Sequence, residues 1–404
     1  MQYHALALAD AGVDVDVIAF SGSPTFDGVA THPRINLRLF ESVDAPAGKR
    51  HLIGSLVRLL IHNARLVRSF WRLPAPPDLI LLQNPPGFPA IPVSLLFARM
   101  YSAKMMIDWH NFTSSMLAIG SGENALIVRF VRQAEALFGR RADAHLCVSR
   151  AMREDLRMNW GIFDARVLYD RPARICTPPD GASRNDLLRR LLGDAFESGD
   201  TSPAVVVSPT SWTRDEEISL LIDAAAIFDR MILEREKSSS MTFPGMVVAI
   251  TGKGPMREAY EKRIATVALK KVRIKTLWLN PEDYRSMLAA SHLGVCCHRS
   301  SSGLDLPMKI SDLLGAGIPI CALDYGPCLR EQLRDGENGL LFADANQLAD
   351  RMFLLFGDFP SQTATLDHLR NNIAQSYRTT WFEGWQREAK ALLIDSVTKD
   401  AVTG

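Results

Sequence analysis

The stretch "LGVCCHRSSSGLDLPMKISDLLGAGIPICAL" (residues 293–323) decides the fold. Its ends, "LGVCC" (293–297) and "IPICAL" (318–323), are short apolar runs. "MKISDLLGAG" between them has helical spacing, with Pro307 suited to its first turn and Gly317 closing it before Pro319. Strand, polar loop, helix and strand in that order make a parallel crossover unit. The same alternation recurs at "VDVDVIAF" (13–20), "LILLQ" (79–83), "KMMIDW" (104–109), "AHLCV" (144–148), "AVVVS" (204–208) and "MVVAIT" (246–251), with amphipathic stretches such as 256–270 and 283–291 between. Strands this apolar are expected to be buried on both faces, as in parallel α/β sheets.

The alternation breaks at 175–204, where Pro, Gly, Ser and charge replace strand signals. A chain of 404 residues is long enough for two domains of roughly 150–200 residues each. The expected organisation is a Rossmann-like domain over 1–175, a linker or insert over 176–203, a second Rossmann-like domain over 204–380, and a C-terminal helix over 381–404 that packs back on the first domain. Ligands of such sheets collect at the carboxyl ends of the strands, and two sheets facing a cleft place the site there.

Composition removes several classes. With 47% apolar and 23% charged residues and a net charge of +1, the chain reads as globular, and nothing draws it to nucleic acid. Six scattered cysteines without a C-x-x-C pair argue for a reducing compartment and against a structural metal. The longest apolar run, "PAIPVSLLFA" (89–98), is far short of the roughly 20 residues a spanning helix needs, so no transmembrane segment or signal peptide is expected. "DVD" (14–16) lies inside a strand rather than at its end and is not read as a metal motif.

Chemistry-bearing residues fall at strand ends. "TGKGP" (251–255) pairs Gly252 and Gly254 with Lys253 ahead of a helix, which suits a diphosphate, although a plain strand-to-helix turn uses the same residues. It lacks the spacing of a Walker loop. "SPTSWTRDEE" (208–217) offers Ser211 and Arg214, and Thr213 with Glu216 has the spacing of a capping box. In the opening stretch Ser301, Ser302, Gly303 and Asp305 line a polar loop, while Lys309 and Asp312, three apart, share one helix face. That pair suits the phosphate and ribose of a nucleotide sugar; a solvated ion pair is the simpler alternative.

In the first half, Asp108 and His110 of "IDWHN" follow a strand, where His110 can take a proton or hold an acceptor, or simply complete a structural hydrogen bond. Asp108 can orient the imidazole, act as base, or cap the next helix. Asn84 of "LQNPPG" sits at another strand end. Residues 50–73 carry Arg50, Arg58, Arg65, Arg68 and Arg72 and no acid, with three of the arginines every seven residues. This basic amphipathic pattern suits an anionic membrane surface, or packing on the sheet with arginines in water.

Taken in order, "LQNPPG" (82–87), "IDWHN" (107–111), "AMREDL" (151–156), "TSW" (210–212), "TGKGP", "SSSGLDLPMK" (300–309) and "ENGLLF" (337–342) resemble the chitobiosyldiphosphodolichol β-mannosyltransferase family, over nearly the whole chain from Met1 to about Trp385. The resemblance implies a GT-B fold and an inverting transfer of mannose from GDP-mannose to chitobiose diphosphodolichol, without metal or other cofactor. It further implies work at the cytosolic face of the endoplasmic reticulum membrane, with other glycosyltransferases of the pathway as candidate partners. Together with their positions at strand ends and helix starts, Ser211, Arg214, Gly252, Lys253, Gly254, Ser301, Ser302, Gly303, Asp305, Lys309 and Asp312 are then expected donor residues, Asp108 and His110 catalytic, and Asn84 and Asn111 acceptor residues. Asp312 stands where many GT-B enzymes carry a ribose-binding Glu.

Two features depart from the family. A hydrophobic anchor, a strand and a Gly-rich turn usually precede "MQYHALALA", so the first sheet is expected to lack its first strand and carry a gap. Arg299 replaces a small hydroxyl residue, adding a phosphate contact or crowding the donor. A transferase with another donor or acceptor, and a noncatalytic subunit of the same fold, therefore remain open alternatives.

Overall fold

The computed structural model describes residues 1–22, 25–41, 51–196 and 201–398, without the side chains of 27, 51–60 and 395–398. It forms two compact units, one spanning Met1–Tyr169 with the segment from Phe382 onward, the other Asp170–Trp381. In chain order the first holds α1 (Gln2–Asp10), β1 (Val15–Phe20), α2 (Asp27–Thr31), β2 (Ile35–Phe40), α3 (His51–Trp71), β3 (Leu79–Asn84), α4 (Ala90–Tyr101), β4 (Lys104–Trp109), α5 (Thr113–Ser121), α6 (Leu126–Gly139), β5 (Ala144–Cys147), α7 (Arg150–Asn159) and β6 (Arg166–Val167). The second holds α8 (Gly181–Leu192), β7 (Ala204–Pro209), α9 (Ile218–Ser238), β8 (Met246–Thr251), α10 (Arg257–Thr266), β9 (Val272–Leu277), α11 (Pro281–Ala290), β10 (Leu293–Cys296), α12 (Met308–Gly315), β11 (Ile320–Leu323), β12 (Gly339–Phe342), α13 (Ala345–Phe356) and α14 (Ala364–Ser376); α15 (Trp381–Glu388) and α16 (Lys390–Thr398) follow.

Every ladder is parallel. In the second unit the strand order is β12-β11-β10-β7-β8-β9. β7, β8, β10, β11 and β12 are buried along their whole length, as helices on both faces require. Gly294 in β10 admits α12 closely: a Cβ there would lie 2.6 Å from Leu313 Cδ2. The absence of that one atom sets how near the amino end of α12 lies to the strand ends.

The first unit is a split sheet. Among the described residues β1 pairs with β2 alone, and β3-β4-β5-β6 form a separate four-stranded sheet, with no described strand joining the two, in keeping with the expected gap. A small core of Ala5, Ala9, Val29 and Ile35 closes one face of the β1–β2 pair. Its strands stay partly exposed, unlike the expectation of burial on both faces. The segment 175–204, read as a break, contains α8, whose Asp180 cap accepts from Ser183 N, and it belongs to the second unit.

Candidate functional site

In the second unit the chain runs β7-β8-β9 outward on one side of β7, then returns to place β10, β11 and β12 on the other. The order therefore reverses between β7 and β10, and the carboxyl ends of that pair are the point where such sheets bind ligands. The loops leaving β7, β8 and β10 carry all the donor residues expected from the sequence except Lys309 and Asp312, which α12 adds.

The two glycines of the β8 loop serve a contact the sequence does not announce. A Cβ on Gly252 would lie 1.7 Å from Thr210 O, and one on Gly254 1.7 Å from Ser211 O; Gly252 also has φ +151°. Their missing side chains thus bring the β8 loop against the β7 loop. Trp212, fully buried, locks the junction by donating from Nε1 to Gly252 O at 3.1 Å. Lys253 points its ammonium over the Trp278 ring, 4.1 Å from the centroid. Gly252→Ala is expected to force the two loops apart and to cost about 2–4 kcal/mol by overpacking plus backbone strain, read as a lower midpoint in urea unfolding.

Glu216 sits at the centre of this junction, and the capping-box reading of Thr213 and Glu216 is corrected by its position. α9 starts only at Ile218, with Glu217 at its cap and no side-chain cap bond. Glu216, 2% exposed, instead accepts from Thr210 Oγ1, from Ser211 N at 2.6 Å and from the Lys309 ammonium. Lys309 also donates to Ser211 Oγ at 3.3 Å. Burial lowers the Lys309 pKa to about 8, opposed by the charges of Asp215 and Asp312. Asp215, 3.1 Å from His298 Nδ1, is held well below the usual carboxylate range by that imidazole. Arg214 is exposed at the same strand end.

The serine loop is largely self-satisfied. Ser300 and Ser302 hydroxyls both donate to Asp305 Oδ1, Gly303 N donates to Ser300 Oγ at 2.9 Å, and Leu304 N to Ser302 Oγ at 3.2 Å. Asp305 is thus a staple of the loop, and the Gly303 amide expected at a phosphate is already engaged. Ser301 is partly exposed in the same turn. Arg299 pairs with Glu217 at 2.7 Å, so its departure from the family pattern is absorbed at the surface.

Asp312 accepts from Tyr284 Oη at 3.0 Å, and burial raises its pKa to about 6, with Tyr284, Lys309 and Arg285 opposing the rise. A carboxylate here accepts hydroxyl hydrogen bonds; a protonated one loses most of that capacity. Binding of a nucleoside diphosphate is expected to weaken about 10-fold as pH falls from about 7 to about 5, measured by calorimetry. Asp312→Asn removes the dependence, and Tyr284→Phe, which deletes a bond favouring the carboxylate, moves it to higher pH. The sign for stability is opposite. With a folded pKa above the ordinary 3.8, the native state holds this proton more tightly, so the residue's contribution falls as pH rises through that interval to about 6.

In the first unit the end of β4 holds a buried acid between two imidazoles. Asp108 Oδ2 lies 2.8 Å from His110 Nε2 and 3.2 Å from His4 Nε2, and Trp385 Nε1 lies 3.2 Å from His4 Nδ1. Indole N–H only donates, so His4 Nδ1 accepts and its Nε2 carries the proton given to Asp108. Burial pushes the Asp108 carboxyl up, but the charge and hydrogen bond of His110 and the bond from His4 outweigh it and hold the pKa well below the usual range. Burial lowers the His4 pKa. His4 was not visible as a site residue because it stands in an apolar helical stretch, over a hundred positions from its partner.

Asn84 is fully buried, and both ends of its amide are used: Nδ2 donates to Asn111 O and Glu135 Oε1, and Oδ1 accepts from Thr113 Oγ1. It is a strut of the strand-end loop rather than an acceptor ligand. Asn111 Oδ1 accepts from Phe112 N and Ser115 Oγ at the start of α5. The unanticipated Glu135, 1% exposed on α6, takes the orphan Thr113 and Ser114 amides of α5 at 2.8 and 3.0 Å. Helix α3 covers most of the basic stretch 50–73. Arg50 and the Arg58 side chain lie outside what is described, Arg65 donates to Glu41 O, and Arg68 and Arg72 are exposed.

The glycosyl transferase 4-like domain family matches residues 2–169, and the glycosyl transferases group 1 family residues 206–358. Chitobiosyldiphosphodolichol beta-mannosyltransferase from Mus musculus is 36% identical, covering 98% of this chain and 86% of its own. The human protein of that name is 35% identical, covering 98% and 90%. UDP-glycosyltransferase TURAN from Arabidopsis thaliana is 34% identical over 99% and 95%. Among solved structures, sucrose-phosphate synthase from Thermosynechococcus elongatus matches with TM-score 0.67 at 16% identity, covering 99% of this chain and 92% of its own. HepE of Anabaena in complex with UDP and glucose matches with TM-score 0.65 at 16% identity, covering 98% and 95%. Likenesses at that identity carry the fold alone.

Proposed function

The chain belongs to the chitobiosyldiphosphodolichol beta-mannosyltransferase family of glycosyltransferases, and from that premise we propose that it transfers mannose from GDP-mannose to dolichol-linked chitobiose diphosphate with inversion at the sugar carbon. The acceptor hydroxyl oxygen forms the new bond to mannose C1, and the bond from C1 to the β-phosphate oxygen breaks. GDP leaves with the electron pair, and the hydroxyl proton goes to His110. Charge building on the departing diphosphate calls for cations already in place. Lys309, with Lys253 and Arg214 on the neighbouring loops, is the set for it, so no metal is assigned a role. Asp312 takes the ribose. The reaction is read at the cytosolic face of the endoplasmic reticulum membrane, with glycosyltransferases of the same lipid-linked assembly as partners.

The observation that carries the donor half is the reversal of strand order between β7 and β10, with Lys309 tied to Ser211 and Glu216 at that point. Because one relative bears the name UDP-glycosyltransferase, the deciding experiment is a donor panel. The purified chain is incubated with a short-chain chitobiose diphosphate lipid and labelled GDP-mannose or UDP-sugars, with and without chelator. Transfer from GDP-mannose alone, β-linked by NMR and indifferent to chelator, is expected. Transfer only from a UDP-sugar overturns the donor, and GDP-mannose binding without transfer points to the noncatalytic subunit.

A further inference from the structure

Helices α5 and α6 pack against each other across a short connection, and α6 carries large apolar side chains outside its buried row as well as within it. Val128, Val131 and Ala134 are buried, while Leu126 is 81% and Phe130 54% exposed, beside exposed Ile127. Across the connection, Met116, Leu117 and Ile119 of α5 are exposed as well. These six large apolar side chains on two packed helices exceed the scattered exposure of an ordinary surface. Phe88 packs edge-on against Phe130 at 5.4 Å and extends the patch.

We propose that this helical hairpin is a docking surface that inserts into an anionic lipid bilayer. Charge selects that occupant: over Thr113–Gly139 the exposed charged residues are Arg129, Arg132 and the single acid Glu123, the other acid, Glu135, being buried. Cations beside exposed apolar side chains are the composition of a segment lying in the headgroup region. Position argues for the same occupant. α5 starts three residues after His110, and Glu135 ties its first amides to α6 from within. A hairpin seated in headgroups therefore holds the Asp108–His110 loop at the bilayer, where a lipid-linked acceptor presents its sugar. This step rests on the reading of the acceptor proposed above. The surface is distinct from the exposed arginines of α3.

The test is flotation of the full chain with acceptor-free vesicles, of phosphatidylcholine alone or mixed with phosphatidylserine. Binding to the anionic vesicles is expected. Leu126→Ser/Phe130→Ser should weaken it about 100-fold, and Arg129→Gln/Arg132→Gln roughly 30-fold, only on anionic vesicles. Both positions are exposed, so the melting temperature should hold, and transfer to a water-soluble acceptor should be unchanged. Unaltered binding of the Leu126/Phe130 variant overturns the proposal, as does binding lost only with Arg68→Gln/Arg72→Gln. A vesicle-free dimer that the Leu126/Phe130 variant abolishes overturns it too, in favour of a second copy. Absence of transfer by the unaltered chain, with vesicle binding intact, counts against the function and not against the surface.

Discussion

His110→Ala lowers the rate of mannosyl transfer by about 10²–10⁴, the usual worth of a positioned general base, while donor KM stays near its original value. The expectation comes from the proton inventory at the end of β4. Trp385 can only donate, so His4 presents a lone pair to it and a proton to Asp108. Asp108, held ionised, accepts from both imidazoles. His110 therefore carries its proton on Nε2 when neutral, and in the proposed transfer it becomes the imidazolium that Asp108 stabilises. Asp108→Asn is expected to do similar damage with little change in shape, since an amide turned to donate toward Nε2 imposes the other tautomer. His4→Ala removes one partner of a buried carboxylate and orphans the Trp385 N–H, at about 1–3 kcal/mol of stability, and should shift the pH profile of transfer without abolishing it. Rates with labelled donor and a short-chain acceptor, taken across pH, decide the matter. A His110→Ala enzyme with more than about a tenth of the normal rate has lost no general base.

How much of this was legible in the sequence depended on whether the interaction was local. β7, β8, β10 and β11 could be read because burial on both faces leaves an unbroken apolar run. β9 "VRIKTL" could not: it is an edge strand, and its Arg273 and Lys275 obscure the pattern. β6 has two residues and no pattern to show. Lys309 and Asp312 could be read as neighbours because helical spacing puts them on one face, and each feels the other's charge. Glu216 was misassigned because Thr213 three residues earlier mimics a cap, whereas the groups that claim it are a strand-end hydroxyl, an amide and a lysine 93 positions away. The glycines of "TGKGP" could be placed at a strand end, but not their packing against Thr210 and Ser211 carbonyls, which only the fold brings together. Glu135 and His4 had no local signal at all.

Lys309→Met should slow transfer by about 10²–10³, the cost of removing one preorganised donor to a developing anion. A bare rate loss would not distinguish a catalytic cation from a structural one, because Lys309 is also the counter-ion of Glu216, which is 2% exposed. Removing the lysine leaves that carboxylate buried with only Thr210 Oγ1 and Ser211 N to satisfy it, and breaking a buried pair from one side costs about 3–5 kcal/mol. Glu216→Gln in the Lys309→Met background withdraws the stranded charge and should restore most of the melting temperature. If Lys309 meets the leaving diphosphate, the rate stays low in this double variant, because neutralising Glu216 returns no cation to the phosphate. The single Glu216→Gln variant is informative in the other direction: Lys309, freed from its carboxylate, should bind GDP more tightly while product release slows, so KM and kcat fall together. Recovery of transfer in the double variant along with its stability would make Lys309 a brace for the β7 loop and nothing more.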